Sequence, residues 1–414
     1  RLRALDAGTP PRRLIFSSRS RSFLFLFPEK KMPTDHSTPL PRAWAEIDLP
    51  AFERNIGKIK ASLPPRIRYI AVVKADAYGH GAAHIVERLL QCGVDSFAVA
   101  NAREGADVRY VAPQAEIAIL GPTLPEEIPS AIAEGLTIAV SNAGEIRALA
   151  DAAEKMETRA RVNVAVDTGM GRMGVWHENA AELFRAATTE KALDWRGVFT
   201  HFSSADTSPE YTALQRARFI AALEAIPPRL RERLTIHADN SAGLETFSRE
   251  RPFNAVRAGI LQYGWKPAPG SLFEKISPEP VLSFRSRVGL TKTLPAGTPV
   301  SYNRTFTLRK DARIAGITAG YGDGIPTAAS NRAEVLVRGK RVPVIGRVTM
   351  DQTIVDASAL PELAVGETAT LIGADGAERI GIEEFCARAD CIPWEALVSI
   401  TKRVPRVYRG LRIQ

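Results

Sequence analysis

A chain of 414 residues, 45% hydrophobic and 24% charged, has the composition of a soluble globular protein, long enough for two domains or one large barrel with an addition. The net charge of +9 raises nucleic-acid binding, but residues 1–31 alone carry +6, so the rest of the chain offers no basic body to a polyanion. No run approaches the length of a membrane-spanning helix, and three cysteines (Cys92, Cys386, Cys391) exclude a disulfide framework and point to a reducing, cytoplasmic compartment.

The first segment is rich in Arg and Ser and contains one short apolar run, residues 23–27, too short for a span or a signal-peptide core. With Met32 read as a true start, residues 1–42 are expected to be an extension without a folded role. From residue 69, β-rich runs alternate with helical segments: 69–74, 96–100, 117–120, 137–140, 162–166, 197–200, 234–237 and 255–261. Amphipathic stretches lie between them. Residues 81–91 place Ile85, Leu89 and Leu90 on one face, and residues 208–226 do the same with Leu214, Phe219, Ile220 and Leu223. Eight strand–helix units in this length suit a parallel (β/α)₈ barrel over residues 43–280, with an open doubly wound sheet as the alternative.

After Gly264 the helical periodicity fades. β-rich segments appear between Gly and Pro punctuation at 281–294, 313–318, 333–337, 342–348, 353–356 and 368–372. A mostly β domain is expected over residues 281–414. The run 43–49, ahead of the barrel, suits either domain.

In such a barrel, chemistry belongs at the carboxyl ends of the strands. Lys74 closes the first run in Ala-Val-Val-Lys-Ala-Asp-Ala-Tyr-Gly-His-Gly (71–81). An ammonium ending an apolar strand is costly unless neutralised, and a Schiff base would relieve that cost. A lysine simply emerging into solvent reads the same way in isolation. Arg172 follows the fifth run, His201 ends the sixth, Asn240 and Ser241 follow the seventh, and Arg257 and Gly259 lie in the eighth. A glycine and a serine at the last two strand ends suit a phosphate, through exposed N–H groups, a hydroxyl and room for close approach. Each also has a plain structural use, as a helix cap, a relief of crowding or a satisfied core histidine. Lysine, phosphate pocket and arginine on one rim together suggest pyridoxal phosphate. His80 and His84 lack the glutamate of a zinc-protease helix, and Cys386 and Cys391 read as core thiols, so no metal site is expected.

The 71–81 segment closely resembles the pyridoxal-lysine signature of bacterial alanine racemases. The resemblance continues in order through 167–174, 201–206, 240–241, 256–260, 301–302, Gly-Tyr-Gly-Asp-Gly at 320–324, 350–352 and 403–406, covering about residues 43 to 410. It implies an α/β barrel followed by a β domain, and a homodimer with shared active sites that interconverts L- and D-alanine, supplying D-alanine for peptidoglycan.

Residue by residue, the resemblance implies that Lys74 holds the cofactor and is the base on the D face. Tyr302 is the base on the L face, reaching in from the second subunit with support from His201 and Arg257. Two bases on opposite faces are what a racemase requires. Tyr78, Ser241, Gly259 and Ile260 would bind the phosphate, with Asn240 beside them, and Arg257 would face the pyridine nitrogen. Arg172 would contact the ring phenolate, Met350 and Asp351 would hold the substrate carboxylate, and Tyr321 would line the approach. The sequence departs from the pattern twice. Ala165 stands where some members carry a carbamylated lysine, so support for Arg172 falls to Asn163 or an anion. Trp394 replaces a phosphate-binding tyrosine, and its indole donates one N–H and accepts nothing. Among rivals, a single-domain pyridoxal phosphate homeostasis protein lacks a β domain, and a fold-related decarboxylase would show a Gly-Gly-Gly loop and a catalytic cysteine. A serine or broad-specificity racemase shares every motif.

Overall fold

Eight apolar runs become eight parallel strands because their side chains are buried on both faces, as a sheet wrapped by helices demands. The computed structural model describes residues 41–247 and 252–411, and the extension expected before residue 41 lies outside them. Strand β1 (Ala43–Asp48) leads into helix α1 (Leu49–Ser62), whose N-cap Asp48 accepts from the Ala51 N–H at 2.8 Å. Then follow β2 (Arg68–Val72), α2 (Ala82–Gln91), β3 (Ser96–Val99), α3 (Ala102–Val111), β4 (Glu116–Ile119), α4 (Ile128–Ala133), β5 (Thr137–Val140), α5 (Ala143–Lys155) and β6 (Ala160–Asp167). The series continues with α6 (Ala180–Thr189), β7 (Leu193–Phe199), α7 (Pro209–Leu223), β8 (Thr235–His237) and β9 (Ala255–Ala258).

Strands pair in the order β5-β4-β3-β2-β9-β8-β7-β6, all parallel, and β6 returns to β5. That last pairing closes the barrel and removes the open doubly wound alternative. The expected run 255–261 is strand only to Ala258. Gly259 (φ −114°, ψ −104°) breaks it, and Ile260–Tyr263 form a 3₁₀ turn. Helix α2 buries Ile85, Val86 and Leu89, whereas Leu90, one step round the helix, is 38% exposed; on α7 Leu214 is likewise exposed.

The second sheet is built from β10 (Leu282–Leu294), β11 (Ala312–Ile317), β12 (Glu334–Val337), β13 (Lys340–Pro343), β14 (Thr353–Asp356), β15 (Thr368–Asp375) and β16 (Arg406–Arg409). Its order is β13-β12-β15-β10-β1-β16, with β11 pairing along β10 and β14 pairing on β11. β1 runs antiparallel to β10, Ala45 opposite Phe284, and parallel to β16, Ala45 opposite Arg406. Residues 43–48 therefore belong to this sheet and not to the barrel, a correction to the expected barrel limits. The run expected at 342–348 ends at Pro343, which lacks a ladder N–H. Two helices, α8 (Ile382–Ala389) and α9 (Pro393–Val398), precede the last strand. Among the described residues no helix is long and apolar enough to cross a membrane.

Candidate active site

Lys74 stands where β2 leaves the barrel. Gln262 Nε2 and Tyr263 Oη both donate to the Val72 carbonyl, at 2.9 and 3.0 Å, fixing the strand end. The next four residues after Lys74, Ala75 to Tyr78, then wind left-handed, with φ between 52° and 55°. None is glycine, and each such residue costs roughly 1–2 kcal/mol. The turn is held from the second sheet: Arg406 Nε donates to the Gly79 carbonyl at 2.8 Å and Tyr408 Oη to that of His80 at 3.1 Å. The result turns Lys74 into the barrel mouth and buries Tyr78 beside it.

Two chambers meet at Lys74. One, of about 440 Å³, is lined by Lys74, Tyr78, His201, Asn240, Ser241, Arg257, Gly259, Ile260 and Trp394. The other, of about 600 Å³, shares Lys74, His201 and Arg257 and adds Arg172, Ala165, Phe199 and Met173. Burial, helped by Arg172 and Arg257, pulls the Lys74 ammonium below its ordinary range, while Glu104 opposes the shift. Lys74 has no hydrogen-bonding or ion-pair partner among the described residues. Its proton is easier to remove than that of an exposed lysine, the direction that imine formation with a carbonyl favours.

Arg257 is 2% exposed and fully engaged at its two terminal nitrogens. Nη1 donates to His237 Nδ1 at 2.6 Å and to the His237 carbonyl at 3.3 Å. Nη2 donates to the carbonyls of Thr200 and Ala238 and to His201 Nδ1 at 3.1 Å. Its Nε–H has no bond among the described residues. Burial brings the guanidinium down to about 10, with Asp239 opposing, so it stays charged at neutral pH. A guanidinium only donates, so both histidines accept at Nδ1 and carry their proton at Nε2. Burial and then Arg257 push both well below the ordinary imidazole range, which keeps them neutral.

The far end of the first chamber is a cradle. The Ser241 hydroxyl accepts from the Gly259 N–H at 2.8 Å, leaving its own proton free to donate. A Cβ on Gly259 would stand 2.7 Å from the Tyr78 hydroxyl oxygen, so only glycine leaves this space open. Burial pushes the Tyr78 phenol up to about 12, keeping it a donor. The first amides of the 3₁₀ turn at Ile260 face no carbonyl within that turn. Asn240 lines the chamber, but its Oδ1 is committed to the Gly243 N–H at 2.9 Å. Trp394, carried on α9, lines the same chamber.

Arg172 is carried on a loop pinned by Asp167, whose Oδ1 accepts from the amides of Gly169 (2.9 Å), Met170 (3.0 Å) and Gly171 (3.2 Å). Arg172 itself is exposed and unpaired among the described residues. Asn163 does not support it, contrary to one expectation. Asn163 lines a 30 Å³ space with Arg68, Ser96 and Glu116 at the amino ends of the strands, the opposite end of the barrel. Ala165 instead packs in an apolar cluster with Ala139 and Phe199.

The β-domain candidates line neither chamber. Tyr302 is 69% exposed, Met350 52% and Tyr321 43%. Tyr302 is presented between Ser301 (φ 63°) and Asn303 (φ 60°), with the Ser301 hydroxyl tied to the Arg347 carbonyl at 2.6 Å. Asp351 pairs with Arg403 at 2.7 Å, and the same guanidinium holds Asp323 at 2.7 Å and donates to the Met350 carbonyl at 3.2 Å. The role of His237 was missed by sequence reasoning. Its only signal there was a histidine at the end of the seventh run, alternating inward with Arg257 on the neighbouring strand.

The donors fit pyridoxal phosphate: an unpaired amine, a hydroxyl-and-amide cradle for the phosphate, and the unbonded Nε–H of Arg257, a residue in the wall of both chambers. Among the described residues no group of three His, Cys, Asp or Glu side chains could hold a metal ion. The family models for the N-terminal and C-terminal domains of alanine racemase match residues 47–267 and 281–408. The chain is 38% identical over 370 residues to alanine racemase of Nostoc sp., covering 88% of this chain and 95% of that one. A solved alanine racemase of Clostridium difficile 630 superposes with a TM-score of 0.83 at 30% identity, over 90% of this chain and 97% of that one. The alanine racemase from Bartonella henselae, solved with covalently bound pyridoxal phosphate, gives 0.80 at 28% identity, over 89% and 100%.

Proposed function

The chain belongs to the alanine racemase family, and we propose from that premise that Lys74 and Tyr302, from two different subunits, work the opposite faces of the substrate's α-carbon. The reaction is the pyridoxal-phosphate-dependent interconversion of L- and D-alanine. The cofactor, when bound, acidifies the α-hydrogen of the amino acid joined to it. The protein's residues do the rest.

In this reading Lys74 anchors the cofactor and, once released by the substrate's amino group, takes or returns the proton on the D face. The observation that carries the assignment is its unpaired amine, lowered in basicity, in the wall common to both chambers. Tyr78, Ser241 and the Ile260 amide hold the phosphate in the space that Gly259 leaves open, with Asn240 and Trp394 closing the cradle. The Arg257 Nε–H, unbonded among the described residues, would be the donor to the ring nitrogen. A cation that cannot give up its proton there leaves that nitrogen unprotonated, which restrains the electron sink and disfavours transamination. Arg172 supplies charge to the phenolate and the substrate carboxylate.

Tyr302, Tyr321, Met350 and Asp351 are placed in the site of a second copy, as a homodimer with shared sites would require. Their exposure and their absence from the chamber walls support this. His201 Nε2–H then remains available to a phenol arriving at the mouth. Three free cysteines support a cytoplasmic setting, and D-alanine made there would serve peptidoglycan assembly. Alanine is the substrate, and serine should turn over as a minor one, because a small pocket separates side chains differing by one group only about 10–200-fold.

Borohydride reduction of the holoenzyme followed by peptide mapping tests the anchor. The label is expected on Lys74. A label on another lysine, or none, would overturn the assignment.

A further inference from the structure

Two barrel helices begin with the same four-residue cap. Helix α3 starts after Asn101 with Glu104 at its third position, and α5 after Asn142 with Glu145. In each, the asparagine Oδ1 accepts from the glutamate's own N–H at 3.0 Å. In each, one carboxylate oxygen accepts from the amide just before the cap, Ala100 at 2.8 Å and Ser141 at 2.6 Å. The second oxygens differ. Glu145 turns its own back to Asn142 Nδ2 at 2.8 Å, closing the cap on itself. Glu104 reaches across to the neighbouring strand's loop, where Oε1 accepts from the Ala75 N–H at 2.9 Å.

Ala75 directly follows Lys74 and is the first of the four left-handed residues. We propose that Glu104 is a positioning residue for Lys74, clamping the lysine turn to the end of β3 so that the amine is aimed into the chamber. The proposal rests on the reading of Lys74 as the cofactor lysine. A run of four non-glycine residues in the left-handed region persists only where its surroundings over-determine it. The other bonds to the turn, from Arg406 and Tyr408, grip its far end at Gly79 and His80. At the lysine end the backbone bonds Val73 to Ala98 and Ala77 to Val73, and Glu104 is the one side chain among the described residues that bonds the Ala75 amide, with a charge-assisted bond. Glu104 lines neither chamber, so it touches no reactant and acts through the turn. It is also the one carboxylate whose field favours a charge on Lys74, against burial, Arg172 and Arg257.

The test is Glu104→Gln, which keeps the shape and one acceptor but sets an NH₂ against one of the two amides. Three quantities are read: amide hydrogen exchange through residues 75–78 with and without pyridoxal phosphate, the rate at which hydroxylamine strips the cofactor, and kcat and KM for L-alanine. Losing one charge-assisted bond should speed exchange of the turn amides and cofactor stripping about tenfold, and lower kcat about tenfold with KM changed less than about twofold. Glu145→Gln, the same change at the twin cap, should leave exchange of residues 75–78 at its native rate; Glu145 itself lines the second chamber, so the two variants are compared on the turn amides alone. If Glu104→Gln folds poorly, Glu104→Asp, one methylene too short to span both amides, carries the same measurements. The proposal is overturned if the two Gln variants match in turn exchange, because Glu104 is then a cap and nothing more. A borohydride label away from Lys74 in the native enzyme would instead defeat the assignment beneath it, whatever the exchange data show.

Discussion

The barrel mouth and the second sheet treat their polar side chains in opposite ways. At the mouth, Arg257 is buried and bonded at both terminal nitrogens, His201 and His237 are held neutral, and the lysine turn is braced from several sides. On the second sheet, Tyr302, Tyr321 and Met350 stand exposed on loops with backbone geometry that faces them outward. Burial in a closed barrel tunes protonation and fixes donors without help. An exposed phenol gains neither until another surface covers it. The barrel side thus presents a finished set of donors, while the exposed side chains of the second sheet are the half that the proposed shared site assigns to a partner.

The largest effect expected is that of Lys74→Ala, which should lower racemisation about 10³-fold or more by removing both the anchor and one proton carrier. Its sharper use is in mixtures. If sites are shared, a hybrid of Lys74→Ala with Tyr302→Phe has one dead site and one intact site. Random exchange makes half the dimers hybrid, so roughly a quarter of native activity should return, as the two-fold symmetry requires. No recovery after demonstrated subunit exchange would mean that each chain builds its site alone, and the comparison of the two regions would break.

Tyr302→Phe alone comes next. It should slow exchange of the α-proton of L-alanine in deuterated water about 10²–10⁴-fold, while D-alanine still exchanges at Lys74. Equal slowing of both isomers would assign Tyr302 to substrate positioning. Native exchange of L-alanine would remove it from the chemistry.

Gly259→Ala tests the cradle. Its Cβ would fall 2.7 Å from the Tyr78 hydroxyl oxygen and 3.8 Å from Ser241 Oγ. Tyr78 is itself packed against Tyr263, the rings tilted by 37° with centroids 5.0 Å apart, and cannot retreat freely. Overpacking of this kind costs about 1–3 kcal/mol, so pyridoxal phosphate should bind roughly ten- to a hundredfold more weakly. Unchanged affinity by titration would mean that the phosphate lies elsewhere.

Much of the mouth was legible in the sequence because barrel strands are short apolar runs, and a polar residue at the end of each stands out. Lys74, His201, Ser241 and Arg257 were found that way, and all four line the first chamber. What was illegible is non-local. Nothing in Ala43–Asp48 says that its partners are β10 and β16, residues more than two hundred positions away. The left-handed turn is invisible in Ala-Asp-Ala-Tyr, because none of these residues favours it; the turn is imposed by Glu104, Arg406 and Tyr408. Asn163 shows the cost of reading along a strand without its direction. Two residues before Ala165 sounds close to Arg172, yet its side chain faces the other end of the barrel.

A last effect, on stability and not on activity, separates the two regions by acid. The described histidines all lie on the barrel side of the chain, and three of them are held neutral by burial. His80 is the clearest. Its Nδ1 sits 3.0 and 2.9 Å from the carbonyls of Ala77 and Tyr78, so it donates there, and its buried Nε2 has no partner to stabilise a second proton. Burial lowers it to about 4, against the two backbone bonds. In the unfolded chain the same imidazole titrates near 6.5. Between these values the unfolded state holds a proton that the folded state does not, so stability falls as pH drops from about 6.5 to 4 and falls no further from this group below that. The full difference is about 3 kcal/mol, and His201 and His237 add to it with the same sign. His80→Gln, which can still donate to the turn but does not titrate, should flatten the slope of unfolding free energy over that window by up to this amount. Because the group sits inside the lysine turn, amide exchange at mildly acid pH should open residues 74–81 before β10 or β15. If the second sheet opened first, or the slope were unchanged in His80→Gln, burial at the mouth would not be what makes this region acid-sensitive.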